Sequence, residues 1–162
     1  MSHLRRISYV VHVKTENKLV THPKKSMMST SKAFELLHMD LFGPTKYTSI
    51  GGNKYGFVIV DDFTRYTWIF FRVDKSDVFA TFKTFIKRIH NEFETTIKKV
   101  ESDNGSEFKN TRVDDLCDEL EIKHQFFAKY TPQSNGLVER KNRTLINMAR
   151  SMLSEYNVSH SF

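Results

Sequence analysis

The chain has almost no cysteine. Cys117 is its only thiol, so no internal disulfide can form and no cysteine-rich zinc site can be built. No run of eighteen or more apolar residues occurs in the sequence, which excludes a membrane span of the helical kind. The N-terminal residues lack the apolar core of a signal peptide, so secretion is not expected. The seven histidines are dispersed, and no Ser/His/Asp or Cys/His set points to a covalent nucleophile.

At 162 residues, with 39% hydrophobic content and fourteen phenylalanines, the chain has material for one domain with a real core, plus an arm. Its net charge of +6 is unevenly placed. Residues 1–32 hold seven Lys/Arg against the single acid Glu16, which accounts for the whole excess. Residues 101–121 then carry eight acids and two bases, whereas residues 129–150 carry five bases and one acid, Glu139. A basic surface around a lone carboxylate suits a phosphodiester ligand.

Residues 1–31 read as a basic, flexible arm, with one short apolar alternation over 7–13. The patterning tightens from residue 34 onward. Residues 36–42 read as a strand ending at Gly43-Pro44, 55–60 as a second and 66–73 as a third, joined by turns that make an antiparallel meander. Ser76 is a suitable N-cap for a helix to Phe93, whose Val78, Phe79, Phe82, Phe85, Ile86, Ile89 and Phe93 recur at helical spacing. Residues 97–102 form a fourth strand, 111–120 a short helix, 123–128 a fifth strand and 136–156 a final helix after the polar loop 131–136. The order βββαβαβα describes a mixed five-stranded sheet flanked by helices, an α/β layered domain over residues 32–162.

This topology sorts the acids. Asp40 lies near the C-terminal end of the first strand and Asp103 at the C-terminal end of the fourth. Strands four and five follow helices and can run parallel to strand one, which brings Asp40 and Asp103 to one sheet edge, the edge that ligands favour. Asp61 and Asp62 end an antiparallel strand, fall at the opposite edge, and are explained by turn chemistry. His38 alternates with Asp40 and shares its face. Glu139, separated from Asp103 by 35 intervening residues, falls in the first turn of the final helix. At roughly 100° per residue, Val138, Leu145, Ala149, Met152 and Tyr156 make one stripe. Glu139, Arg143, Ile146 and Arg150 make the next, so Glu139 stands at the margin of the buried face. Three hard oxygen donors of this kind suit divalent ions in phosphoryl transfer, which asks for little other side-chain chemistry. Asn104 and Glu107 lie beside Asp103 as supporting or substrate-side positions. Gln133, Ser134, Asn135, Arg140, Lys141, Arg143 and Arg150 supply amide, hydroxyl and cationic groups suited to DNA.

Residues 38–44, 56–65, 102–108 and 131–143 together resemble, in order and spacing, the catalytic core of retrotransposon and retroviral integrases, above all those of copia-type LTR elements. The resemblance covers about residues 31–162. It implies a ribonuclease-H-like fold of the DDE transferase group and assigns catalysis to Asp40, Asp103 and Glu139. Two Mg2+ or Mn2+ ions are implied with DNA bound, Asp40 bridging both and Asp103 and Glu139 each holding one side. It implies 3′-end processing of element-end DNA, strand transfer into target DNA, homo-oligomer assembly on DNA and a nuclear site of action. His3, His12 and His22 have no Cys-x-x-Cys partner, so no zinc is expected. Family cores continue with further helices after the catalytic one, so the resemblance implies a C-terminally truncated core, a piece of a Gag-Pol-type polyprotein. Two other readings remain open. One is a non-catalytic nucleic-acid-binding remnant of an integrase, and the other a ribonuclease-H-type nuclease cutting RNA–DNA hybrid.

Overall fold

A computed structural model describes residues 10–13, 30–44 and 52–126 of the chain. Its strands are β1 (Val10–Val13), β2 (Leu36–Phe42), β3 (Tyr55–Asp61), β4 (Thr67–Arg72), β5 (Lys99–Ser102) and β6 (Lys123–Phe126). Its helices are α1 (Asp77–Phe93) and α2 (Thr111–Glu119). The sheet order is β1-β4-β3-β2-β5-β6. The meander β2–β3–β4 is antiparallel, and β5 and β6 add in parallel beyond β2. The five strands expected from the sequence are all present in the expected relation.

The sheet also has a sixth strand. Residues Val10–Val13 pair antiparallel with β4, Val10 opposite Phe70 and Val13 opposite Thr67. This corrects the expectation of a flexible arm at those four residues. β4 would otherwise present an open row of backbone donors and acceptors, and even a short alternating segment can satisfy them. The expected loop 131–136 and the final helix 136–156 lie outside the described residues. Among the described residues no helix is long and apolar enough to cross a membrane.

Strand alternation divides the side chains between two faces. Leu37 and Met39 of β2 are buried in the main core with Phe57 and Ile59 of β3, against Phe82, Phe85, Ile86 and Ile89 of α1. Phe42, Val58, Val60, Ile69 and Phe71 form a second apolar cluster. Cross-strand pairing sets Asp40 opposite Val58 and Phe42 opposite Gly56. Gly56 has no side chain because a Cβ there would come within 2.0 Å of the Phe42 ring.

Helix α1 buries the predicted stripe only in part. Phe93 is 53% exposed and rests on Phe34 at 4.9 Å between ring centroids, and Phe79 lies under the Arg112 guanidinium at 4.3 Å. Ser76 stands at the N-cap but makes no side-chain cap bond. Asp74 ties the turn instead, its Oδ1 accepting the Ser76 N–H at 2.8 Å. Helix α2 has a true cap: Asn110 Oδ1 accepts the Val113 N–H at 3.1 Å.

The lone thiol faces the core from α2. Cys117 is 2% exposed, and burial first, then the nearby Asp114 and Asp118 carboxylates, push it up to about 11. A thiolate is the reactive species, so Cys117 of the folded chain is expected to react with Ellman's reagent on the order of a hundredfold more slowly than the unfolded chain. Equal rates with and without denaturant would contradict this packing.

Candidate active site

Register brings the two aspartates together. In the parallel pair of β2 and β5, Leu36 lies opposite Lys99, Leu37 opposite Val100 and His38 opposite Glu101. The same offset carried two residues further sets Asp40 beside Asp103. Alternation places both on the sheet face away from Leu37 and Met39, the face that also carries His38 and Glu101.

The electrostatics of Asp40 follow from this juxtaposition. Burial against the second apolar cluster raises Asp40 above the usual carboxylate range. The charge of Asp103 raises it further, and that of Glu107 adds to the effect. The Leu41 N–H, donating to Asp40 Oδ1 at 2.9 Å, works the other way. Two of the charges acting on this carboxyl are thus acids of the loop that follows β5.

That loop has a defined shape. Asp103 Oδ1 accepts the Gly105 N–H at 2.9 Å, a local turn closed by the side chain. A Cβ on Gly105 would sit 2.6 Å from Glu107 Oε1 and 2.9 Å from Asp103 Oδ1. The missing side chain therefore lets both carboxylates crowd around one point. Gly105 O accepts the N–H groups of Phe108 at 3.0 Å and Lys109 at 2.8 Å. Asn110 Nδ2 donates to the carbonyls of Ser106 and Glu107 at 3.1 and 3.0 Å. Asn110 thus caps α2 and fastens the site loop to it, a role the sequence reading missed. Asn104 is exposed in the turn between Asp103 and Gly105.

Crowded carboxylates of this kind are suited to a divalent ion, which replaces their mutual repulsion by shared attraction and prefers hard oxygen donors. Among the described residues no three His, Cys, Asp or Glu side chains come close enough to hold an ion as a set. Asp40 and Asp103 are thus two neighbouring acids, not a complete ion-holding set, among the described residues. Glu139, and with it Gln133, Ser134, Asn135, Arg140, Lys141, Arg143 and Arg150, lies outside the described residues.

His38 has partners that the sequence reading did not identify. Its Nε2 is 3.1 Å from Asp62 Oδ1, and its Nδ1 is 3.4 Å from Glu101 Oε2. Asp62 also takes Arg65 Nη1 at 2.8 Å, and Glu101 takes Lys99. The neighbouring Asp61 does serve the turn, as expected: its carboxylate accepts the N–H groups of Phe34 and Thr64, each at 2.8 Å. Burial opposes a charged His38, but hydrogen bonds to Asp62 and Glu101 outweigh it and raise the imidazole above 6.5. In return His38, followed by Arg65, holds Asp62 down at about 2.

The raised histidine stabilises the fold fully below pH 6.5, and that contribution is lost as pH rises through its folded value. The lowered Asp62 contributes fully above pH 3.8, and that contribution is lost as pH falls toward about 2. The cluster is therefore at full strength between those limits. Wild-type melting temperature is expected to decline from mildly acidic to mildly alkaline pH, and His38→Gln to flatten that decline. Parallel profiles for the two proteins would rule the cluster out as the cause.

The family's model, described as integrase core domain, matches residues 30–132. The retrovirus-related Pol polyprotein from transposon TNT 1-94 of Nicotiana tabacum is 35% identical over 128 residues, covering 79% of this chain and 10% of that protein. The chain spans about a tenth of the length of the curated relatives it matches. Among solved structures, the simian T-cell lymphotropic virus intasome in complex with PP2A regulatory subunit B56 gamma superposes with a TM-score of 0.61 at 19% identity, over 88% of this chain and 49% of that one. The HTLV-2 integrase catalytic core domain in complex with magnesium, in a trimeric form, gives 0.52 at 20% identity, over 75% and 73%. At such identities these likenesses speak for the fold, the ribonuclease-H-like layered sheet of integrase catalytic cores. With that fold in place and the sequence pattern matched from β2 through β6, the chain belongs to the integrase core domain family.

Proposed function

We propose that the chain performs the metal-dependent DNA cutting and joining of retrotransposon integration, as the catalytic core of a Gag-Pol-type polyprotein. The observation that carries this reading is the register of β2 and β5, which brings Asp40 and Asp103 to one sheet edge. Asp40, Asp103 and Glu139 would hold the ions, Mg2+ or Mn2+, and magnesium in the HTLV-2 core supports that choice. When bound, the ions activate a water or 3′-hydroxyl oxygen and neutralise charge on the departing oxygen.

The chain's own residues do the rest. Asp40, half-buried on a central strand, fixes one side of the site. Asp103 is aimed by its turn, with the Gly105 N–H occupying Oδ1. Glu107 adds negative charge at the same place and disfavours a second anion there unless ions are bound. In each step one phosphorus–oxygen bond forms as another breaks, so no covalent link to the protein is needed. Gln133, Ser134, Asn135, Arg140, Lys141, Arg143 and Arg150 grip the DNA backbone, and the basic N-terminal residues add to that grip. Assembly as a homo-oligomer on DNA, in the nucleus, follows the same reading; an intasome and a trimeric core among the structural neighbours support assembly.

The test is incubation of the chain with element-end DNA and either ion. Nicked and joined products that vanish with a chelator are expected. A chain that yields no product, yet binds DNA with a steep salt dependence that survives Asp40→Asn, would instead be a non-catalytic binding remnant. The two basic stretches, over residues 1–32 and 129–150, serve either reading, so the products and not the binding separate them.

A further inference from the structure

Ser102 is the last residue of β5 and is completely buried. Alternation turns it to the core side of the sheet, while the next residue, Asp103, turns to the site. A hydroxyl in such a place needs partners. Ser102 Oγ has two: the Asp103 carbonyl oxygen at 3.0 Å and His124 Nε2 at 2.9 Å.

Who donates follows from the His124 tautomer. A carbonyl oxygen can only accept, so with the hydroxyl proton donated to Asp103 the ring is in its Nε2–H form and Nε2 donates to Ser102 Oγ. Asp114 Oδ1, 3.7 Å from the buried Nδ1, pulls toward a proton on that nitrogen instead. Burial, opposed by Asp114, lowers the imidazole, which favours a neutral ring with a single proton. The Nε2–H form gives a directed chain, from His124 through Ser102 to the Asp103 backbone. On the other side of the sheet, the Gly105 N–H holds the Asp103 carboxylate. The residue is clamped at both ends.

We propose that His124, acting through Ser102, is a positioning residue for Asp103 and sets the direction in which its carboxylate meets an ion. This rests on reading Asp40 and Asp103 as ion-holding residues. Groups that orient metal ligands typically govern affinity by about tenfold or more.

The experiment is a calorimetric titration of Mn2+ into the 162-residue chain, without DNA, alongside the melting temperature of each protein. Ser102→Ala and His124→Leu are each expected to weaken binding about tenfold. His124→Gln, whose amide nitrogen can still donate to Ser102, is expected to keep wild-type affinity. Asp40→Asn is the control and is expected to lose binding. If Asp40→Asn loses binding while Ser102→Ala binds as wild type, the positioning role is overturned and the ion site stands. If His124→Gln is as weak as His124→Leu, His124 acts by packing and the proposal is overturned. If Asp40→Asn binds as well as wild type, or wild type binds no Mn2+, the ion site itself is overturned, and the proposal with it. Should Ser102→Ala fail to fold, the Leu and Gln variants of His124 decide.

Discussion

Asp40→Asn is expected to melt at a higher temperature than wild type in metal-free buffer at neutral pH, to gain nothing from added Mn2+, and to lose catalysis. The sign follows from the direction of the shift. Burial and the charge of Asp103 raise Asp40, so the folded state binds its proton more tightly than the unfolded state. Ionising it therefore costs stability, and the cost grows as pH rises from the unfolded value of about 3.8 through the folded one. An amide of the same shape removes that cost. Below the unfolded value the two proteins should converge. Wild type should recover stability when an ion binds, because a ligand of the folded state shifts the equilibrium toward it. The same substitution is expected to lower strand transfer by about a thousandfold, the equivalent of about 4 kcal/mol of lost charge stabilisation. Thermal scans at two pH values, with and without Mn2+, check the first part. A variant less stable than wild type at neutral pH would mean that Asp40 is paired in a way that favours its charge.

The second large effect lies under the site loop. Phe108 is 1% exposed, and its ring stands 5.9 Å from Phe57. Phe57 in turn meets Phe70 at 6.1 Å, and Phe70 meets Phe85 of α1 at 6.0 Å. These rings run through the core from the helix layer to the segment that carries Asp103 and Glu107. Phe108→Ala should cost about 3–5 kcal/mol, since it removes both transfer energy and contacts that the surrounding rings cannot recover. The Phe108 N–H bond to Gly105 also anchors the turn that Asp103 closes. Faster exchange of the Gly105 amide is therefore expected alongside the loss seen in urea denaturation. A loss under about 1 kcal/mol would show that the ring is not seated as described.

The closeness of Asp40 and Asp103 was legible because it needs only strand direction. A strand after a helix joins in parallel, and two acids near the C-terminal ends of parallel neighbours must share an edge. The bounds of α1 and α2 were legible from apolar spacing, and the start of α1 also from Ser76 before its first turn. The partners of His38 and Ser102 were not. His38 meets Asp62 across 24 residues, and Ser102 meets His124 across 22. No periodicity links such pairs; only register does, and register is set by the whole sheet. The strand at Val10–Val13 was missed for a related reason. The short apolar alternation there was visible, but its pairing depends on an edge that only the folded meander creates. Ser76 stands at the N-cap as expected but makes no side-chain cap bond, and Asp74 only closes the turn before it.

In the proposed function, Asp40, Asp103 and Glu139 act as one ion-holding set for phosphoryl transfer. Its most direct test is strand transfer of element-end DNA in Mn2+ by wild type, Asp103→Asn and Glu139→Gln, compared at a temperature where all three are folded. Each substitution should lower the rate by about a thousandfold while DNA binding, with its salt dependence, is retained. An Asp103→Asn protein that joins DNA at the wild-type rate would contradict the account.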